Sequence, residues 1–142
     1  MTLREEKYED EAGNTLVARE RAPGVLHFVA TGKLTTPMAE RIAAFSDART
    51  TPGLASFHDW WRIGAYDSKA RYLLTRWAVE NLADLQAAHI LTRSRLVKMG
   101  VSVANISVGG IGRLHEGSES FEQALHAAMS ASRRGRLERL SG

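Results

Sequence analysis

The feature that most limits the possible folds is an alternation between two kinds of segment along the chain. Short apolar runs typical of strands are followed by longer segments in which apolar residues recur every three or four positions, as on one face of a helix. The strand-like runs are 15–20, 25–34, 54–60, 87–94 and 112–117. The resulting order, β-β-α-β-α-β-α-β-α, predicts a single-domain α/β fold with a mixed, mostly parallel sheet of about five strands, an N-terminal hairpin and about four helices.

Each predicted helix begins at a recognisable signal. Thr36 is the predicted N-cap of the first helix, and Asp67 or Ser68 is the predicted N-cap of the second. Ser120 and Gln123 have the spacing of a capping box at the start of the last helix. The second helix has the clearest periodicity, and its apolar stripe is predicted to contain Leu73, Leu74, Trp77, Ala78, Leu82 and Leu85.

Composition excludes several classes of site. The 142 residues include no cysteine, so the chain has no disulfide framework, no thiolate nucleophile and no cysteine-based zinc site. No apolar run approaches the roughly 20 residues that a membrane-spanning helix needs. The acidic start, MTLREEKYEDEAG, is unlike a signal peptide. These features predict a cytoplasmic protein.

Charge is distributed unevenly along the chain. Residues 133–142 contain four arginines and one glutamate, so this segment has a net charge of +3. The formal net charge of the whole chain is also +3, and the other 132 residues are therefore neutral overall. We therefore predict a polar N-terminal segment at 1–12, one domain at 13–132 and a basic C-terminal tail at 133–142. A solvated tail is favoured over a contact with nucleic acid or an anionic membrane, because no aromatic residue is interleaved with the arginines.

The segment DWWRIGAYDS, 59–68, leaves the third predicted strand for the longest helix. In parallel sheets, binding sites tend to lie at this end of the strands. Trp60 and Trp61 are adjacent, and neighbours on a strand point to opposite faces. We therefore expect one of them to pack in the core and the other to be partly exposed, with Asp59 closing the strand.

No group of residues indicates a reaction. The five histidines are widely spaced and form no metal-binding motif, and the neighbouring pair His58–Asp59 faces apart on a strand. The glycines of VGGIGRL follow a predicted helix, where they indicate a turn rather than a phosphate-binding loop. The residue chemistry thus predicts a non-enzymatic protein with no metal and no cofactor.

Several segments together resemble the STAS superfamily, the sulfate-transporter and anti-sigma-factor-antagonist domain, and especially its SpoIIAA-like branch, which overlaps with Sec14-type folds. The likeness covers roughly residues 13–130. GVLHFVATGKLT resembles the second strand and the entry to the first helix of that family. LASFHDWWRIGAYDSKARYLL resembles its third strand, switch loop and second helix, and FEQALHAAM its final helix.

The resemblance implies a regulatory role. In the anti-sigma-factor antagonists, an Asp-Ser-Ser-Gly motif begins the second helix, and a partner kinase phosphorylates its serine. Asp67 and Ser68 match the Asp-Ser of that motif, whereas Lys69 and Ala70 stand in place of its Ser-Gly. The resemblance therefore implies a protein partner, a kinase or another regulator, with Ser68 as the candidate phosphorylation site. The expected binding residues are Asp59, Trp60, Trp61, Tyr66, Asp67, Ser68, Lys69 and Arg71.

Other functions stay open at this point. A small-molecule or lipid carrier would have an apolar pocket between helices and sheet, expected to be lined by Phe57, Trp61, Tyr66 and Trp77. An enzyme with an unrecognised site and nucleic-acid binding through the tail are the less favoured alternatives. A homo-oligomer is compatible with the sequence.

Overall fold

A computed structural model describes residues 4–141. The six strands are β1 (Glu5–Glu9), β2 (Thr15–Ala22), β3 (Val25–Leu34), β4 (Leu54–Tyr66), β5 (Leu85–Leu91) and β6 (Gly112–His115). The four helices are α1 (Thr36–Asp47), α2 (Ser68–Glu80), α3 (Arg95–Val108) and α4 (Ser118–Ser141). None of the helices within the described residues has the length and hydropathy that crossing a membrane requires.

The six strands form one sheet in which spatial order equals chain order, β1 to β6. The pairs β1–β2 and β2–β3 are antiparallel, and the three pairs from β3 to β6 are parallel. Each parallel crossover advances by one strand in the same direction, so α1, α2 and α3 pack on one face of the sheet. Helix α4 follows the last strand and covers the opposite face. The predicted α/β fold is therefore confirmed.

The two faces of the sheet carry separate apolar cores. The larger one, here called the main core, lies under α1–α3 and includes Phe28, Met38 and Trp60. The smaller one, the α4-side core, is built around Phe57, Phe121 and Leu125. Strand β3 supplies Leu26, Phe28 and Ala30 to the main core and Val25 to the α4-side core, as its two apolar faces predict.

Three boundaries differ from the sequence-based expectation. Strand β1 lies inside the segment assigned as polar, 1–12, so the sheet has six strands rather than five. The sequence did not predict β1 because its residues are mostly charged and exposed and form no apolar run. Helix α2 ends at Glu80, so Leu82 lies in the following turn and Leu85 begins β5. Helix α1 is capped by Thr35, whose side chain accepts the N–H of Met38, rather than by Thr36.

Helix α4 also differs from the prediction at both ends. It begins at Ser118, so Ser120 lies within its first turn and the expected capping box does not form. It continues through residues 133–141, and the basic tail is therefore the last part of this helix. Its arginines are exposed, as expected for a solvated segment. Just before the tail, the hydroxyl of Ser132 donates to the carbonyl oxygen of Pro23 at 2.6 Å.

Candidate functional site

The segment DWWRIGAY is not a loop, because β4 continues to Tyr66. Strand β5 ends at Leu91, opposite Asp59, so residues 60–66 pair only with β3. In that pairing Val29 faces Asp59 and Thr31 faces Arg62, which leaves one extra residue on β4. The carboxylate of Asp59 accepts the backbone N–H of Trp61 at 3.2 Å inside this bulge. Asp59 thus has a structural partner within its own strand.

The two tryptophans point to opposite faces of the sheet, as strand geometry predicts. Trp60 is 8% exposed and belongs to the main core. Trp61 is partly buried against the α4-side core, with the guanidinium of Arg93 5.4 Å above its ring. The bulge shifts the alternation that follows, so that Ile63 joins Trp60 in the main core.

An apolar cavity of about 130 Å³ lies between the sheet and helices α1, α2 and α3. Strands β4 and β5 form its floor, and the two helices α2 and α3 form much of its wall. The side chains that line it are mostly aliphatic or aromatic, and they include Leu34, Ile42, Trp60, Ile63, Tyr66, Leu74, Trp77, Ala78, Ile90, Val97, Val101, Ala104 and Val108.

Polar groups are few on the cavity wall. His58 lies on β4 between Ser56 and Trp60, with its ring stacked 5.0 Å from that of Phe28. Burial lowers the pKa of His58 to about 3, and His27 and His89 contribute further, so the ring is neutral. His58 Nε2 lies 3.1 Å from the hydroxyl of Ser56. Within the described residues, the buried atoms His58 Nδ1, Trp60 Nε1 and Trp77 Nε1 have no hydrogen-bond partner.

Asp67 and Ser68 lie at the start of α2, where the sequence predicts them, but Asp67 acts on other elements. As the N-cap it makes no side-chain hydrogen bond to its own helix. Its carboxylate accepts the backbone N–H of Thr36 at 3.0 Å and pairs with Lys33 Nζ at 3.0 Å. These contacts lower the pKa of Asp67, with the Lys33 hydrogen bond as the main cause. Asp67 therefore ties the start of α2 to the start of α1, and Ser68 is exposed beside it.

The structure brings only part of the expected site together. Trp60, Tyr66 and Arg71 line the cavity, as does Trp77. The expectation that Phe57 and Trp61 line a pocket is wrong, because odd-numbered β4 residues before the bulge, and Trp61 within it, face α4. Asp59, Asp67, Ser68 and Lys69 are also absent from the cavity lining.

Sequence reasoning missed the contribution of α3. Tyr66 projects onto this helix at Gly100, where an added Cβ atom would lie 2.6 Å from the Tyr66 hydroxyl. Glycine at this position is what allows the tyrosine to reach the helix. The sequence does contain one indication of this contact, a glycine inside a helical pattern. Such a glycine indicates that another group packs closely against the helix, but it does not identify that group.

A second polar cluster lies on the other face of the sheet, away from the cavity. His89 Nδ1 is 2.8 Å from His115 Nε2, and His115 Nδ1 is 2.8 Å from the hydroxyl of Ser120. The ring of His89 stacks on Phe57 at 4.5 Å. Burial, followed by the proximity of His115 and Arg113, lowers the pKa of His89 to about 4. Within residues 4–141 there is no group of three or more side chains suited to hold a metal ion.

Comparison with known proteins adds information about the fold. Neither a scan against protein-family models nor a search of curated proteins gives a match. Among solved structures, a crystal structure of an uncharacterised protein of the DUF3478 family from Shewanella loihica PV-4, described as having a SpoIIAA-like fold, superposes with a TM-score of 0.55. The match covers 87% of this chain and 93% of that chain, at 16% sequence identity. The fold is SpoIIAA-like. At 16% sequence identity, the similarity between the two proteins concerns the architecture alone. This architecture agrees with the STAS-like fold that the resemblance of the sequence segments implies.

Proposed function

We propose that this protein is a non-enzymatic binding protein that holds a small apolar molecule in the cavity between the sheet and α1–α3. The observation that carries this proposal is the cavity itself, which lies in the main core and has an almost wholly apolar wall. Protein interiors are normally packed to crystal-like density with few voids larger than a water molecule. An apolar pocket of about 130 Å³ that reaches into the main core and is partly open to solvent is larger than ordinary packing leaves, and a bound apolar molecule would fill it.

The size and chemistry of the cavity define the ligand class. An engineered apolar cavity of about 150 Å³ binds benzene. The present cavity is slightly smaller but partly open to solvent, so it holds a small ring or most of a medium-length alkyl chain, with the remainder of the chain and its head group at the opening. Each methylene group buried on binding contributes about 0.8 kcal/mol. The aliphatic and aromatic parts of the wall offer water no hydrogen-bond partner, so an apolar group placed against them displaces little well-bound solvent.

A titration with 1-octanol tests this proposal. Trp60 and Trp77 line the cavity, so saturable binding should change the tryptophan fluorescence. Ala104→Leu adds volume on the α3 wall and should weaken binding at least tenfold. Ala127→Leu makes the same change on the exposed side of α4 and should leave the affinity within twofold. The absence of saturable binding, or equal affinities for the two variants, would contradict the proposal.

A second candidate function is the regulatory, partner-binding role implied by the STAS resemblance. The outer face of α3 favours it, because it exposes an apolar stripe at Leu96, Met99, Val103 and Ile106, spaced by three and four residues. Ser68 is exposed at the start of α2, where an added phosphate would be accessible to a protein kinase and to a protein partner.

The test of this second function uses Ser68→Asp and a partner isolated from the native host. The fold should persist, since Ser68 is exposed and follows the N-cap Asp67, and a surface substitution of this kind changes the free energy of unfolding by about 0.5 kcal/mol or less. Binding to the partner should weaken much more, because the interface would have to desolvate a charge. Circular dichroism serves as the folding control. Equal affinities of wild type and Ser68→Asp would remove Ser68 from the interface.

A further inference from the structure

We propose that the cavity selects apolar molecules that end in a carboxylate, and that Arg71 binds this carboxylate. The inference rests on the proposed ligand-binding function and names the chemical class of its ligand. The class comprises medium-chain fatty acids and similarly built apolar acids. Their apolar part would enter the cavity, and the carboxylate would remain at Arg71.

Arg71 is part of the cavity wall. It lies in the first turns of α2, and Leu74, Thr75 and Ala78 follow it at steps of three, four and seven residues on the same side of the helix. All four line the cavity. Among the described lining residues, Arg71 alone carries a formal charge, since His58 is neutral. The cavity thus pairs an apolar interior with a single cation.

The guanidinium of Arg71 forms no ion pair with any acid in residues 4–141. The acid best placed along the helix is Asp67, four residues earlier, but its carboxylate is held by Lys33 and Thr36. Glu80, at the other end of α2, pairs with Arg76 at 2.8 Å. Arg71 therefore retains its hydrogen-bond donors for a group that the protein does not supply.

The partial burial of Arg71 suits a carboxylate rather than a neutral head group. The side chain is partly buried and lines the cavity, and a long cationic side chain in such a position typically covers apolar surface with its stem and keeps its charged end near solvent. A carboxylate placed there keeps part of its hydration and gains charge-assisted, bidentate hydrogen bonds from the planar guanidinium. Such bonds are roughly twice as strong as those between neutral groups, so an alcohol of the same chain length gains less.

The experiment compares octanoate with 1-octanol, two probes of equal chain length that differ in the head group. Both are titrated by calorimetry into wild type, Arg71→Met and Arg76→Met at neutral pH. Arg71→Met keeps an unbranched side chain and removes the charge. Arg76→Met is the matched control, because Arg76 lies on the same helix and is outside the cavity lining. Should Arg71→Met aggregate, Arg71→Gln replaces it.

The expected result is that octanoate binds wild type and Arg76→Met at least tenfold more tightly than 1-octanol does. In Arg71→Met the two probes should bind with affinities within twofold of each other, while the affinity for 1-octanol stays unchanged. Equal binding of both probes to wild type, or a preference for octanoate that persists without Arg71, would overturn the assignment of the carboxylate while leaving the proposed function intact. Failure of both probes to bind would overturn the proposed function as well.

Discussion

At the scale of single residues, packing on the side of the sheet under α1–α3 depends on a small residue that allows a large side chain to approach. Gly100 on α3 is the clearest case, because the Tyr66 hydroxyl lies only 2.6 Å from the position that a Cβ atom would take there. Gly135 on α4 offers a contrast, since the nearest atom to its added Cβ is a guanidinium nitrogen of Arg139 at 3.5 Å, an ordinary contact.

These two glycines allow a matched comparison. Gly135→Ala should raise the free energy of unfolding by roughly 0.5–1 kcal/mol, the usual gain from replacing glycine inside a helix. Gly100→Ala should lower it, because displacing the Tyr66 ring or α3 costs roughly 1–3 kcal/mol and exceeds that gain. Urea denaturation of both variants measures the difference. A Gly100→Ala variant as stable as Gly135→Ala would mean that Tyr66 does not rest on α3.

The buried histidines predict a stability that falls in acid. Burial lowers the pKa of His58 to about 3 and that of His27 to about 4, whereas histidine in an unfolded chain titrates near pH 6.5. Below about pH 6.5 the unfolded chain therefore binds more protons than the folded one, and the free energy of unfolding decreases as the pH falls toward 4. Well above pH 6.5 both histidines are neutral in the folded and the unfolded chain, so they contribute no pH dependence to the free energy of unfolding.

The measurement is the free energy of unfolding between pH 7 and pH 4.5 for wild type and His58→Phe. The variant keeps an aromatic ring against Phe28 and should show a shallower decline. Ala127→Gln, at an exposed position on α4, is the control and should follow the wild-type curve. Identical slopes for wild type and His58→Phe would show that His58 is not buried in its neutral form.

At the scale of elements, the sequence was informative where local pattern decides the structure. Alternation placed Trp60 and Trp61 on opposite faces, with one in the core and the other partly exposed. The end of β4 was not predictable, because a bulge at the two tryptophans extends the strand through residues that look like a loop. The role of Asp67 was missed for a related reason, since its partners Lys33 and Thr36 are more than 30 residues away in the chain.

Helix α4 is expected to be anchored by its first half. Phe121 is fully buried in the α4-side core, and truncating such an aromatic side chain costs roughly 3–5 kcal/mol. Phe121→Ala should therefore lower the melting temperature by many degrees. Deleting residues 133–142 should lower it by no more than a few degrees, because the arginines there are exposed. Thermal unfolding followed by circular dichroism compares the two; a large loss on deletion would show that the tail docks on the body.

At the scale of the whole molecule, the order of strands and helices predicted an α/β fold with a mixed, mostly parallel sheet, but it did not reveal strand β1. When each parallel crossover advances one strand in the same direction, three helices must share one face of the sheet and leave the other to α4. For the cavity, the sequence left an apolar pocket between helices and sheet open as an alternative and named Tyr66 and Trp77 correctly, but it did not give the rest of the wall or the volume. Its wall combines residues from α1, α2, α3 and from strands β3 to β6, and its volume depends on how completely their side chains fill the space between them. The size of that space depends on side-chain packing, which the periodicity of apolar residues in a sequence does not predict.

The central claim, that a ligand occupies this cavity, is tested most directly by the three tryptophan indole N–H signals in a two-dimensional NMR spectrum. Trp60 and Trp77 line the cavity, and their buried indole nitrogens have no hydrogen-bond partner within the described residues, whereas Trp61 packs on the opposite face of the sheet. Each signal is assigned from a Trp→Phe variant. Titration with 1-octanol should move the Trp60 and Trp77 signals along saturable curves and leave the Trp61 signal in place. Three unmoved signals at saturating octanol, or a shift confined to Trp61, would contradict the account.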